Sequence, residues 1–104
     1  MFSPSEALPR LAPKLDQLTR EALFGDVWQR AALSPRERSL ITIAALLGQS
    51  RPHALAFHLR RGRDNGLAAD ELAEVVTHLA FYVGWPSATA ALEQLDAVLA
   101  DPTL

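Results

Sequence analysis

An all-α fold is predicted for this chain, as a compact bundle of about five to six helices. Apolar side chains recur at the three- and four-residue spacing of a helix, as in Leu72, Val76 and Leu79. Prolines and glycines separate these periodic segments, and no segment alternates apolar and polar residues as a strand does. The length of 104 residues fits one domain that covers residues 1–104.

Prolines near the amino terminus predict an irregular lead-in over residues 1–12. The first helix is expected to begin near Pro13, whose fixed φ suits the first turn, and to end at Gly25. Residues 26–30 predict a short additional helical turn.

The central helix has the clearest start signal. Ser34 is a capping residue, Pro35 suits the first helical position, and Glu37 completes a capping box. The following residues are apolar on most sides, which is typical of a helix surrounded by others. Gly48 is its expected end.

Three more helices follow in the carboxy-terminal half of the chain. One is expected over residues 52–63, closed by Asn65-Gly66, because both residues tolerate the left-handed conformation past a helix end. The next begins near Ala69, and the last is opened by Ser87 after the break at residues 84–86.

Composition predicts self-association and excludes several classes of protein. Hydrophobic residues make up 49% of the chain, more than a domain of this length is expected to bury alone, so a second copy is expected to cover part of them. The net charge of −2 argues against nucleic-acid binding. Arginines at positions 51, 60, 61 and 63 are followed at once by acidic residues, and we interpret them as a solvated helix face.

Targeting signals and thiols are not visible in the sequence. The longest stretch without charged residues is broken by Gly84 and Pro86, and no basic segment precedes an apolar run at the start, so no membrane association and a cytoplasmic location are expected. The chain has no cysteine, which excludes disulfides, thiolate metal sites and cysteine nucleophiles.

Four stretches of the chain stand in a characteristic order: 23–30, 38–46, 57–59, and 65–67 leading to 78–86. Together they resemble the carboxymuconolactone decarboxylase family from about residue 23 to residue 92. The resemblance implies an alkylhydroperoxidase D-like helical fold, assembled as a homotrimer or homohexamer. It also implies cofactor-free removal of CO₂ from a small carboxylated lactone in aromatic catabolism.

The same resemblance argues against peroxidase chemistry. Redox relatives carry a Cys-x-x-Cys pair one turn before a helical histidine, and the matching positions here are Arg51, Ala54 and His58. Decarboxylase relatives commonly have Pro-Gly where this chain has Ala31-Ala32, and many have a glutamate at the position of Ala54.

Decarboxylation without a cofactor needs a carboxylate site, stabilisation of the charge left behind, and a proton donor. We expect His58 to be the donor, because a histidine pKa lies near working pH and the small Ala54 and Gly62 leave room beside the ring. The alternative is a buried histidine that bonds a carbonyl oxygen. Arg38 and Arg51 suit the carboxylates, since a guanidinium binds them bidentately. Arg38 is equally suited to pairing with a nearby acid.

A second histidine and several aromatic residues complete the candidate site. His78 lies one turn from Glu74 and from Tyr82, which suits either a proton relay or hydrogen bonding at an interface. Trp28, Tyr82 and Trp85 are candidates to line a substrate pocket or to anchor packing.

No metal or cofactor is expected. His53 and His58 are five residues apart, which does not place two ligands on one helix face. Two functions follow from the sequence: a decarboxylase of a small carboxylate or lactone, or a non-catalytic helical oligomer that binds a small molecule.

Overall fold

The computed structural model describes residues 6–101, and these residues contain helices and turns but no strand. The predicted all-α fold is therefore confirmed. The helices are α1 (Ala7–Leu11), α2 (Pro13–Leu18), α3 (Pro35–Gly48), α4 (Pro52–Asp64), α5 (Ala69–Val83) and α6 (Trp85–Ala100). A π-helical turn over Thr19–Phe24 continues α2, and a 3-10 turn covers Val27–Gln29.

The chain divides into two compact units after Pro35. In the first unit, Trp28 is buried and stacks on Phe24 with ring centroids 5.9 Å apart. The irregular lead-in expected over residues 1–12 differs from the structure, because α1 occupies part of it. Residues 1–5 lie outside the described part of the chain.

The core of the second unit is built from apolar side chains of α3 to α6 and of the connection between α4 and α5. Its buried members are Ile43, Leu47, Leu55, Leu59, Leu67, Leu72, Val76, Ala80, Ala88, Ala91, Leu95 and Val98. Ser39 is fully buried on α3, and its hydroxyl accepts a hydrogen bond of 3.0 Å from the Asn65 side-chain amide. This bond satisfies the buried Ser39 hydroxyl and joins α3 to the end of α4.

Two helices end in Schellman motifs. At the end of α4, Gly66 has φ +101° and the Leu67 N–H donates to the Gly62 carbonyl at 2.8 Å, as the Asn65-Gly66 pair predicted. At the end of α3 the same motif places Ser50 at φ +53°. A left-handed serine costs about 1 kcal/mol relative to glycine, so the α3–α4 connection holds some backbone strain.

Gly84 is the junction of α5 and α6. Its backbone angles, φ +96° and ψ +154°, belong to a region that only glycine occupies readily. The last helix starts at Trp85, earlier than the Ser87 predicted from sequence, because Pro86 fits its first turn.

Candidate functional site

Helix α4 carries His58 beside two larger side chains. The His58 imidazole is half-buried and meets the Phe57 ring edge-on, with ring centroids 4.8 Å apart. The Arg61 guanidinium carbon lies 6.0 Å from the centroid of the same Phe57 ring. His58, Phe57 and Arg61 form what we call the His58 cluster.

The electrostatics of the His58 cluster favour a neutral imidazole. Burial, and secondly the positive charge of Arg61, lower the pKa of His58 from 6.5 to about 4. At neutral pH the ligand-free chain therefore carries an uncharged His58, which accepts a proton rather than donating one. The pKa near working pH that was expected from residue type does not hold in this environment.

The neighbours of His58 also correct two expectations from the sequence. Gly62 does not leave room for a ligand, because a methyl group there would lie 3.1 Å from Leu67 Cδ1 and 3.2 Å from Ile43 Cδ1. The arginines were interpreted as a solvated face, yet Arg60 and Arg61 are half-buried. The structure thus places the positive charges of Arg60 and Arg61 in half-buried positions on the helix that carries His58.

A groove between α3 and α5 contains the second predicted histidine. It has a volume of about 450 Å³, and its apolar walls include Leu40, Val75 and Leu79. Its polar lining consists of Arg36, Glu71, Glu74 and His78. We call it the α3–α5 groove.

The α3–α5 groove is poorly suited to a carboxylate. Arg36 is paired with Glu71, whose carboxylate also accepts the Ala68 N–H at 3.0 Å. The Ala68 N–H, and secondly Arg36, lower the pKa of Glu71, so this carboxyl stays ionised. Glu74 adds a further negative charge to the lining, and an anionic ligand would be repelled.

Two of the three α5 residues that were expected to share a helix face lie side by side. The rings of His78 and Tyr82 lie side by side, with centroids 5.3 Å apart and planes inclined by 34°. Glu74 lines the α3–α5 groove together with His78. His58 is absent from the residues lining that groove, so the structure assigns the two predicted catalytic histidines to different surroundings.

The remaining candidates fall in further places. Arg38 is half-buried on α3, and its carbonyl accepts the Thr42 hydroxyl at 2.7 Å. Arg51 lines a small cavity between α3, α4 and α6. Trp85 is exposed and meets Phe81 edge-on, with centroids 5.4 Å apart. Trp28 belongs to the first unit.

Neither a metal cluster nor a membrane span is found between residues 6 and 101. No group of three or more histidine, aspartate and glutamate side chains in this range is arranged to hold a metal ion. Of the helices described, none is long and apolar enough to cross a membrane.

Sequence reasoning missed Arg61, Arg36 and Glu71 as members of these sites. Arg61 stands three residues after His58, a spacing that places two side chains on one helix face, and this spacing was the available signal. The pairing of Arg36 with Glu71 joins residues 35 positions apart and has no signal in local sequence.

The fold and the His58 cluster define a cysteine-free, all-α protein with a histidine-centred candidate site. The carboxymuconolactone decarboxylase family model matches residues 13–97. The chain belongs to this family.

Two relatives illustrate what this chain is similar to. One is 4-carboxymuconolactone decarboxylase of Acinetobacter baylyi, 41% identical over 78 residues, which are 75% of this chain and 58% of that protein. The other is nitrosuccinic acid decarboxylase of Metarhizium robertsii, 38% identical over 76 residues, which are 73% of this chain and 53% of that protein. The chain thus spans only slightly more than half the length of these relatives.

Proposed function

We propose that the chain is a cofactor-free decarboxylase of a small carboxylated lactone or a related acid. Membership of the family supports this, together with similarity to two relatives that are both named as decarboxylases of small acids. Their substrates differ, so the similarity favours the reaction class over any one substrate.

The reaction needs a site that stabilises charge and then delivers a proton. The bond between the carboxylate carbon and the substrate breaks, CO₂ leaves, and the electron pair moves into the conjugated lactone. A proton is then added to carbon, which completes the balance. Fixed positive charge near the substrate lowers the barrier of the first step, and an imidazolium supplies the proton in the second.

The His58 cluster suits these steps better than the α3–α5 groove does. Arg61 provides a guanidinium beside His58, whereas His78 shares its groove with two glutamates. A carboxylate is attracted to the first environment and repelled by the second. We therefore assign the proton transfer to His58 and a substrate carboxylate to Arg61. Arg38 remains our candidate for a second carboxylate.

The lowered pKa of His58 fits this role when the substrate is considered. A substrate carboxylate paired with Arg61 removes part of the repulsion that disfavours the imidazolium. The pKa of His58 then rises in part, because burial remains the larger cause of its lowering. Substrate binding thus increases the fraction of imidazolium from which the proton is delivered.

An ultraviolet assay with γ-carboxymuconolactone tests the proposal. We expect turnover by the native chain, loss of at least a hundredfold in kcat with His58→Gln, and a smaller change with the matched variant His78→Gln. Full activity of His58→Gln would refute the assignment, and loss only in His78→Gln would move the reaction to the α3–α5 groove.

One observation favours a second candidate, a non-catalytic oligomer that binds a small molecule. Ala54 lies one turn before His58, where many decarboxylase relatives carry a glutamate. If this glutamate is needed for catalysis, the native chain should be inactive and Ala54→Glu should gain turnover. Activity of the native chain without that substitution would remove this candidate.

Self-association is part of the proposal. Phe81, Tyr82 and Trp85 expose 76%, 75% and 60% of their surface, and we call them the aromatic surface. Exposed aromatic patches mark interaction sites, and a second copy of the chain is the proposed partner, in a homotrimer or homohexamer. Light scattering that gives only the 11.3 kDa monomer would contradict this.

A further inference from the structure

The cavity that Arg51 lines between α3, α4 and α6, which we call the Arg51 cavity, has a size that matches a small ring. Its volume is about 160 Å³. An apolar cavity of about 150 Å³ is known to hold benzene, so the space accommodates one ring-sized body. Its inner walls are buried and apolar, and they include Leu47, Leu55 and Ala91.

The rim of the same cavity is polar and carries a positive charge. Arg51 is the one charged residue among those that line it, and Arg51 is exposed. Ser50 and Ser87 also line it, with their hydroxyl oxygens 3.0 Å apart. One of the two hydroxyl protons serves this mutual bond, so the other O–H is available to a ligand.

Local backbone geometry fixes this rim in place. Ser50 holds its left-handed conformation in the turn that leads to Arg51. Arg51 in turn occupies the N-cap of α4, where the helix dipole favours an anion. The hydroxyl pair ties this turn to α6.

From the apolar interior and the cationic, hydroxyl-bearing rim we infer a binding site for a small monocarboxylic acid with a ring-sized apolar body. The ring occupies the space against Leu47 and Leu55, and the carboxylate meets Arg51 and a serine hydroxyl. Arg51 was a sequence candidate for the substrate carboxylate, and this inference gives it a different ligand. The residues that line the cavity do not include His58, His78 or Arg38, so the inferred site is separate from the proposed decarboxylation site.

Calorimetric titration with benzoate tests the inference. We expect one benzoate per chain, with a dissociation constant at least tenfold higher for Arg51→Gln and for benzyl alcohol, which has the same ring without the charge. Ala90→Leu fills the cavity from its exposed side and should weaken binding at least tenfold. Ala97→Leu makes the same change on the exposed surface of α6 and should leave binding unchanged.

Two results would overturn the inference. The first is no heat of binding with millimolar benzoate and native chain, and the second is equal binding by the native chain and Ala90→Leu. Circular dichroism of both leucine variants shows that they are folded before titration. Benzoate binding that persists in Arg61→Gln, which removes the proposed partner of the substrate carboxylate, separates this site from the proposed catalytic one. Failure of either proposal is then recognised independently.

Discussion

The state of His58 makes a prediction about the pH dependence of stability. Burial and Arg61 lower the pKa of His58 from 6.5 to about 4 in the folded chain. Between these values the unfolded chain binds the proton more tightly, so the free energy of unfolding falls as pH falls from 6.5 to 4. Each pKa unit corresponds to about 1.36 kcal/mol. Because solvent screens the half-buried ring, about 3 kcal/mol is the upper limit for what full protonation costs the folded chain.

Replacing His58 by glutamine should remove this dependence. We expect the free energy of unfolding of the native chain, relative to His58→Gln, to be constant above pH 6.5 and to fall by at most about 3 kcal/mol towards pH 4. Urea unfolding at a series of pH values measures the free energy of unfolding of both proteins. The difference between the two values removes the contribution of carboxylates that titrate in the same pH range.

An NMR titration gives the direct check on this reasoning. The imidazole signals of His58 should show a midpoint near 4. A midpoint near 6.5, or parallel stability curves for the native chain and His58→Gln, would refute the account of burial and charge. It would also return His58 to the role of an ordinary acid at neutral pH.

Three further predictions concern single residues. Arg61→Gln should raise the pKa of His58 only in part, because burial is the larger cause, and NMR titration of the variant measures the rise. Gly84→Ala should destabilise the chain by about 1–3 kcal/mol in urea unfolding, since φ is +96° there; an unchanged midpoint would mean that the α5–α6 junction relaxes. Ile43→Ala should cost about 2–5 kcal/mol, and the exposed Ile41→Ala should cost far less; equal thermal unfolding of the two would contradict the described core.

Helix positions were largely predictable because local sterics set them. Prolines fix the backbone angle φ, and α2 and α4 begin at Pro13 and Pro52. Asn65-Gly66 tolerates unusual backbone angles, and α4 ends just before this pair. The same reasoning failed at α1, where Pro9 was interpreted as a sign of irregular structure. Pro9 occupies the first turn of that helix, where a missing N–H breaks no bond.

The buried face of α6 shows a different limit of sequence reasoning. Leucines at positions 92, 95 and 99 mark an apolar helix, but of these only Leu95 is buried. The core contacts are made by Ala88, Ala91 and Val98 as well. Small side chains let helices approach closely. Hydrophobicity alone therefore does not reveal which face of α6 packs against the other helices.

The residue types of the candidate site could be proposed from the sequence, but the protonation state of His58 could not. His58 was identified from its place on a helix and from the family resemblance. Its lowered pKa depends on how deeply the ring is buried and on where the Arg61 charge lies, and both are set by tertiary structure. The division of His58 and His78 between different surroundings depends in the same way on which helices pack together.

The two tryptophans give the chain a built-in optical reporter of the proposed self-association. Trp28 exposes 7% of its surface and Trp85 exposes 60%. The Trp28 indole therefore fluoresces from an apolar environment, and the Trp85 indole fluoresces from a solvated one. Acrylamide should quench the red-shifted emission of Trp85 first and leave that of Trp28 almost untouched. Because Trp85 belongs to the aromatic surface, dilution that separates copies of the chain would increase this quenching. Association is therefore measurable in the native protein without an attached dye, and Trp85→Phe provides the blank.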